Sequence, residues 1–163
     1  EKGTAIHKIM QYIEFSKADD IEGEIERLIE WKYITEKEGR IADVKKITAF
    51  FQSELFLRIL KSQAYYREMK FLTEVNAGEV YDVSADLFDK KVIVQGAVDL
   101  LFVEDNKIVI VDFKTDRVED SDTLVERYSE QLRLYSVACS KKFKMPVKEK
   151  IIYSFNLSKD IKL

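Results

Sequence analysis

The sequence predicts an α/β fold, with a helical N-terminal region followed by a sheet core. Three observations predict it. Apolar residues recur at helical spacing over residues 1–65. From Tyr66 onward Val, Ile, Phe and Tyr dominate, and turn residues punctuate the runs. A helical stretch at 124–140 then precedes one last apolar run at 150–155. Helices, a strand meander, a helix and a closing strand make an α/β sandwich with a helical cap.

Each element has a local reason. Gly3-Thr4 offers an N-cap for a first helix carrying Ile6, Ile9, Met10 and Ile13. A second helix is expected over 21–33, with Ile25, Leu28, Ile29 and Lys32 on one stripe, and Gly39 marks a break. Residues 44–61 form a third helix, or two if Ser53-Glu54 separates them; Ile47, Phe50, Phe51, Leu55, Ile59 and Leu60 are the apolar set. Phe50, Phe51, Phe56 and Trp31 read as core. Strands are expected at 67–75, 80–87, 91–103 and 107–113. The helix over 124–140 carries Leu124, Tyr128, Gln131, Leu132 and Tyr135 along one side, and Pro146 fits its stop signal. No internal repeat or low-complexity segment interrupts this order.

Composition bounds the function. With 163 residues, 46% of them hydrophobic, the chain can bury one sizeable core, so residues 1–163 are read as a single domain: a mainly helical region over 1–65 and a sheet core over 66–163. A single cysteine, Cys139, excludes an internal disulfide and a four-cysteine metal or iron–sulfur site within this chain, and suits a reducing, cytoplasmic setting. No apolar run is long enough to span a bilayer, so no membrane partner is expected. A net charge of −3 argues against a basic surface built to wrap nucleic acid, though not against chemistry on it. The chain opens at Glu1 without an initiator methionine, which suggests a piece excised from a longer protein.

The informative stretch runs from Gln95 to Asp116. Two strand-like runs flank Asp105-Asn106, residue types that tolerate a left-handed turn. If those two residues form the turn, Asp99 and Asp112 stand directly opposite each other on one face, with Cβ atoms roughly 4.5–5.5 Å apart. Like charges so placed among Leu100, Leu101, Phe102, Val109, Ile110, Val111 and Phe113 need a shared proton or a cation, and Mg²⁺ or Mn²⁺ would serve. Lys114, two residues beyond Asp112, points to the same face. Two carboxylates and a lysine suit phosphodiester hydrolysis: a metal activates water, and the lysine orients it or offsets developing charge. The bland alternative is an internal Asp99–Lys114 ion pair with Asp112 ending the strand; an odd-length loop would split the two aspartates between faces.

These residues resemble the PD-(D/E)XK nuclease core, with Val111 where the motif name has proline. More narrowly, the chain is similar to the nuclease domain at the C-terminus of RecB/AddA-type helicase–nucleases. Gly3-Thr4-Ala5-Ile6-His7 looks like that family's opening motif, Arg67-Glu68-Met69-Lys70-Phe71 its Arg-Glu-x-Pro-Phe strand with Lys70 in place of proline. Gly96-Ala97-Val98-Asp99 matches its Gly-x-x-Asp motif and Gln131 to Tyr135 its Gln-x-x-x-Tyr helix, all in the expected order. The resemblance implies a restriction-endonuclease-like core, a mixed central sheet flanked by helices. It implies His7, Asp99 and Asp112 as metal ligands, Lys114 as the catalytic lysine, and Gln131 and Tyr135 lining the site or the DNA path. It also implies DNA as substrate, a helicase region of the same protein that would use ATP, and an AddB-type partner. No phosphate-binding glycine loop is present, so that motor lies outside this chain. A His–Asp–Asp set suits Mn²⁺ somewhat better than Mg²⁺.

Other readings stay beside these. His7 can be an ordinary helix residue. Tyr128, Gln131 and Tyr135 share a helical face and can be packing residues, or can bond a phosphate or stack on a base. Glu68 can steady a ligand, or pair with Arg67 or Lys70. Asp116 can support Lys114. Lys141, Lys142, Lys144, Lys148 and Lys150 can meet phosphates or form a solvated face. The whole domain can be a nuclease-like module that binds DNA or docks a partner without cutting.

Overall fold

A computed structural model describes residues 2–163. Seven α-helices and five strands follow one another among those residues. The strands form one mixed sheet in the order β1-β2-β3-β4-β5. No helix is long and apolar enough to cross a membrane among the described residues.

Chain contacts divide the protein into two units. The first comprises 1–61, 113–119 and 153–160. Its helices are α1 (Lys2–Tyr12), α2 (Ile21–Glu30), α3 (Glu36–Ile41), α4 (Val44–Phe51) and α5 (Glu54–Lys61). α1 is already helical at Lys2, so Gly3 and Thr4 lie inside it and do not cap it. Asp20 caps α2 by accepting from Gly23 N. α2 ends at Glu30, three residues short of the expected stop, and α3 was not expected at all. Its signal was present: Thr35 and Glu38 form a capping box, each bonding the other's backbone N–H. Gly39 therefore sits within a helix and is no break. Ser53-Glu54 does separate α4 from α5; Ser53 Oγ accepts from Phe56 N and so starts the second helix.

The core of this unit is aromatic. Phe50 is fully buried and makes edge-on contacts with Phe51, Phe113 and Tyr153 at 5.2, 5.3 and 4.9 Å. Trp31 does not join it: it is 60% exposed, because α2 has ended and Lys32 takes a left-handed conformation beside it. Leu60 is also exposed, on the outer side of α5. Tyr153 is fully buried and its hydroxyl finds no hydrogen-bond partner among the described residues. Burial, with the Asp160 carboxylate adding to it, pushes that hydroxyl up to about 12. Tyr153→Phe is expected to raise stability by about 1 kcal/mol in urea denaturation near neutral pH. A folded value above the unfolded one means stability is lost as pH rises from about 10 to about 12. The phenylalanine variant should lose less over that window; an equal loss would refute the assignment.

The second unit comprises 62–112, 120–152 and 161–163. It holds β1 (Ala64–Asn76), α6 (Ala77–Val80), β2 (Lys91–Glu104), most of β3 (Lys107–Lys114) and β4 (Val147–Ser154), α7 (Asp122–Phe143), and the end of β5 (Lys159–Lys162). The strand expected at 80–87 is not there: α6 and a run of turns occupy 77–90, where Asn76 and Glu79 form a second capping box. β5 was missed, being four residues long with one buried side chain, Ile161. α7 packs on β1 and β2, with Tyr135 against Phe71 of β1. Lys144 ends α7 in a left-handed conformation and Pro146 follows.

The hairpin between β2 and β3 is held at its tip. Asp105 and Asn106 have φ of 54° and 56°, the left-handed pair a two-residue turn requires. Gln63 bonds Asn106 twice, at 2.9 Å each, and Lys148 reaches Glu104 at 2.7 Å and Asp105 at 2.9 Å. Lys148 is thus tied to carboxylates, which removes it from any basic DNA-facing stripe; Lys142 meanwhile donates to Lys70 O.

Candidate active site

The turn sets the register. β2 and β3 pair from Glu104↔Lys107 outward to Leu100↔Val111. One more step in that register brings Asp99 opposite Asp112. Val98, Leu100 and Val111 beside them are fully buried, and Asp112 is 5% exposed. The apolar hairpin thus carries two neighbouring carboxylates where solvent screening is weak. Asp112 Oδ2 is a buried oxygen that accepts no hydrogen bond, although the side chain has other interactions. A divalent cation fits a carboxylate so placed beside a second one.

β1 brings a third acid to the row. Its pairing with β2 runs through Arg67↔Leu100 and Met69↔Val98, so Glu68 falls at the position opposite Asp99. Glu68 has a φ of 49°, which takes its backbone out of the extended conformation there. Among the described residues, no three His, Cys, Asp or Glu side chains are grouped so as to hold a metal ion.

α7 supplies the polar neighbours. Gln131 Nε2 donates to the Tyr135 hydroxyl at 3.2 Å, one helical turn away, so the expected shared face is real. Tyr128 is half-buried one turn earlier on the same helix. Burial raises the Tyr135 phenol above its ordinary value, and the charges of Asp112 and then Asp99 add to this, against the Gln131 bond. Tyr135 therefore stays protonated and can donate towards an anion. Its ring meets Phe71 edge-on at 5.0 Å. Gly96 makes room for that pair: a Cβ there would lie 2.8 Å from Phe71 and 3.0 Å from the Tyr135 ring. Gly96→Ala is expected to cost about 1–3 kcal/mol by overpacking. Adding Phe71→Leu should restore part of it, and strict additivity in urea melts would show that the two sites do not touch.

The first unit carries the other matched residues. His7 on α1 has Nδ1 3.0 Å from Gly3 O and Nε2 2.8 Å from Phe113 O. A neutral ring donates through one nitrogen and offers a lone pair at the other, so one of these contacts must give way before His7 ligates a metal. The sequence held no sign of this carbonyl cradle. Lys114 ends β3, half-buried, and its carbonyl accepts from Phe155 N at 2.9 Å. Strand alternation puts it on the side of β3 that carries Asp112. Asp116 is half-buried in the loop that follows. Cys139 is buried and its thiol is pushed up to about 11, so it is no nucleophile.

The model of the PD-(D/E)XK nuclease superfamily matches residues 1–161. The chain belongs to that superfamily. Curated relatives of this PD-(D/E)XK chain include an ATP-dependent helicase/nuclease subunit from Clostridium botulinum (strain Loch Maree / Type A3). It is 38% identical over 168 residues, covering 100% of this chain and 13% of that protein. A protein of the same name from Clostridium kluyveri (strain ATCC 8527 / DSM 555 / NBRC 12016 / NCIMB 10680 / K1) is 37% identical over 161 residues, covering 96% of this chain and 13% of its own length. The chain thus spans 13% of the length of these relatives. Among solved structures, the crystal structure of SSO0001 matches 85% of this chain and 59% of its own, with a TM-score of 0.41 and 17% identity.

Proposed function

We infer that this PD-(D/E)XK chain is a metal-dependent deoxyribonuclease domain. It cuts phosphodiester bonds in strands delivered by a helicase region of a longer polypeptide, in double-strand break processing and recombination. The observation that supports the reading is the β2–β3 register, whose pairs run to Leu100↔Val111, one step short of Asp99 and Asp112, with Lys114 two residues beyond Asp112. Asp99 and Asp112 hold Mg²⁺ or Mn²⁺, with His7 joining them if one of its carbonyl contacts opens. The bound metal supplies a Lewis acid that polarises the phosphate and eases deprotonation of the attacking water. Lys114 offsets charge that builds on the phosphate oxygens. Tyr135, protonated, and Gln131 donate hydrogen bonds that orient the strand, with Tyr128 beside them. Glu68 and Asp116 support the ligands and the lysine.

ATP serves only the helicase region, an AddB-type protein is the partner, and the setting is the cytoplasm, where Cys139 stays a thiol. One observation favours a module that binds DNA without cutting: no three-residue metal group exists among the described residues. The test separates the two. Linear single-stranded DNA is incubated with the full helicase–nuclease chain in Mg²⁺, in Mn²⁺ and in EDTA. Metal-dependent cleavage is expected; binding without cleavage under either metal would leave the module reading instead.

A further inference from the structure

The first unit contains a small cavity that the chemistry above does not use. Its volume is about 150 Å³. Its floor is apolar, with Ile6 and Phe155 buried. Its polar lining comes from three places in the chain: Asp43 and Lys46 at the start of α4, Thr115 and Arg117 after β3, and Asn156 after β4. Arg117 is exposed and, among the described residues, has no ion pair. The Thr115 hydroxyl likewise makes no hydrogen bond among them. Lys46 Nζ has only a long bond, 3.4 Å, to Asn156 Oδ1. That amide is pinned, since Asn156 Nδ2 donates to Val118 O at 2.9 Å, so its oxygen is fixed facing the ammonium. Asp43 brings one negative charge, engaged in capping α4 through Lys46 N at 3.3 Å. Two cations against one carboxylate leave the cavity net positive.

We propose that this cavity is a phosphate subsite for the DNA strand. It rests on the nuclease reading. The Arg117 guanidinium forks onto the two non-bridging phosphate oxygens, and the Lys46 ammonium and Thr115 hydroxyl donate to those same oxygens. The volume, about 150 Å³, is enough to admit a phosphate group. The place suits it too, because Thr115 and Arg117 follow Lys114 by one and three residues. A phosphate held here sets the register of the strand past Lys114.

The test is binding of a labelled single-stranded oligonucleotide to the full chain, in EDTA so that nothing is cut, over a series of salt concentrations. Arg117→Ala and Lys46→Ala are each expected to weaken binding on the order of tenfold and to lower the salt slope by about 0.7. Arg117→Lys should keep the slope, which a purely structural role would not predict. Oligonucleotides with and without a 5′-phosphate distinguish the source: an effect on both marks an internal phosphate, an effect on the phosphorylated one alone marks a terminal phosphate, and either supports the subsite. Unchanged affinity and slope in both alanine variants overturns it, and so does a loss of slope that Arg117→Lys shares. Asp112→Asn run alongside keeps the nuclease reading separate, since it should bind with the parent slope yet fail to cut when Mn²⁺ is restored.

Discussion

Asp112→Asn is expected to abolish metal-dependent cleavage of single-stranded DNA without lowering the stability of the metal-free protein. The substitution keeps the shape of a side chain that is 5% exposed and removes one of two carboxylates aligned across β2 and β3. Losing an outer-shell partner of a metal costs about 10–100-fold, so loss of a ligand itself should exceed about 100-fold. Like charges directly opposite on a sheet repel, so without metal the asparagine variant should melt no lower than the parent. With Mn²⁺ the order reverses. The parent gains melting temperature by mass action and the variant does not. Lys114→Ala should separate the roles further. Cleavage falls by roughly 10²–10³-fold, as for loss of a charge-stabilising donor, while the Mn²⁺-induced rise in melting temperature remains. Cleavage that survived both substitutions would sink the assignment of the site.

The second large effect concerns stability in the helical unit. Glu24 on α2 is 3% exposed. It accepts from Arg27 Nε at 2.9 Å and Nη2 at 2.8 Å, and from Glu14 N at 2.9 Å. Glu24→Ala leaves the Arg27 guanidinium and the Glu14 N–H without that carboxylate, and is expected to cost about 3 kcal/mol in urea denaturation, the low end for breaking a buried pair because Arg27 keeps some contact with water. The pH dependence follows from the same contacts. The Arg27 bond, opposed by burial and aided by the Glu14 N–H, holds the Glu24 carboxyl below its ordinary 4.5. A lowered folded value means the stabilisation is complete above about pH 4.5 and drains away as pH falls towards the folded value. Glu24→Gln should therefore narrow the gap to the parent on acidification. A gap that stayed constant from neutral pH down to about 3 would show that the carboxylate charge contributes nothing.

The sequence by itself determined the parts of this protein that depend on neighbours along the chain. The hairpin is the clearest case. Asp105-Asn106 dictates a two-residue turn, and a two-residue turn dictates the register from Glu104↔Lys107 to Leu100↔Val111, which leads towards Asp99 and Asp112. The Gln131–Tyr135 bond was legible for the same reason, since one helical turn separates the two. The capping box at Thr35 and Glu38 is equally local, and it starts a helix that runs through Gly39 despite that residue's helix-breaking tendency. Other features lay beyond local rules. Val80 and its neighbours have strand-like composition, yet the second capping box at Asn76 and Glu79 outweighs that preference and makes a helical turn.

Only the tertiary structure decided which distant segments meet. It seats Phe113 and Tyr153, far along the chain, against Phe50 in the helical unit. It turns His7 towards Phe113 O, and it brings Lys46, Thr115, Arg117 and Asn156 to one cavity. Local propensity is blind to such placements, because they come from burying apolar side chains drawn from the whole chain, and the polar groups are carried with them.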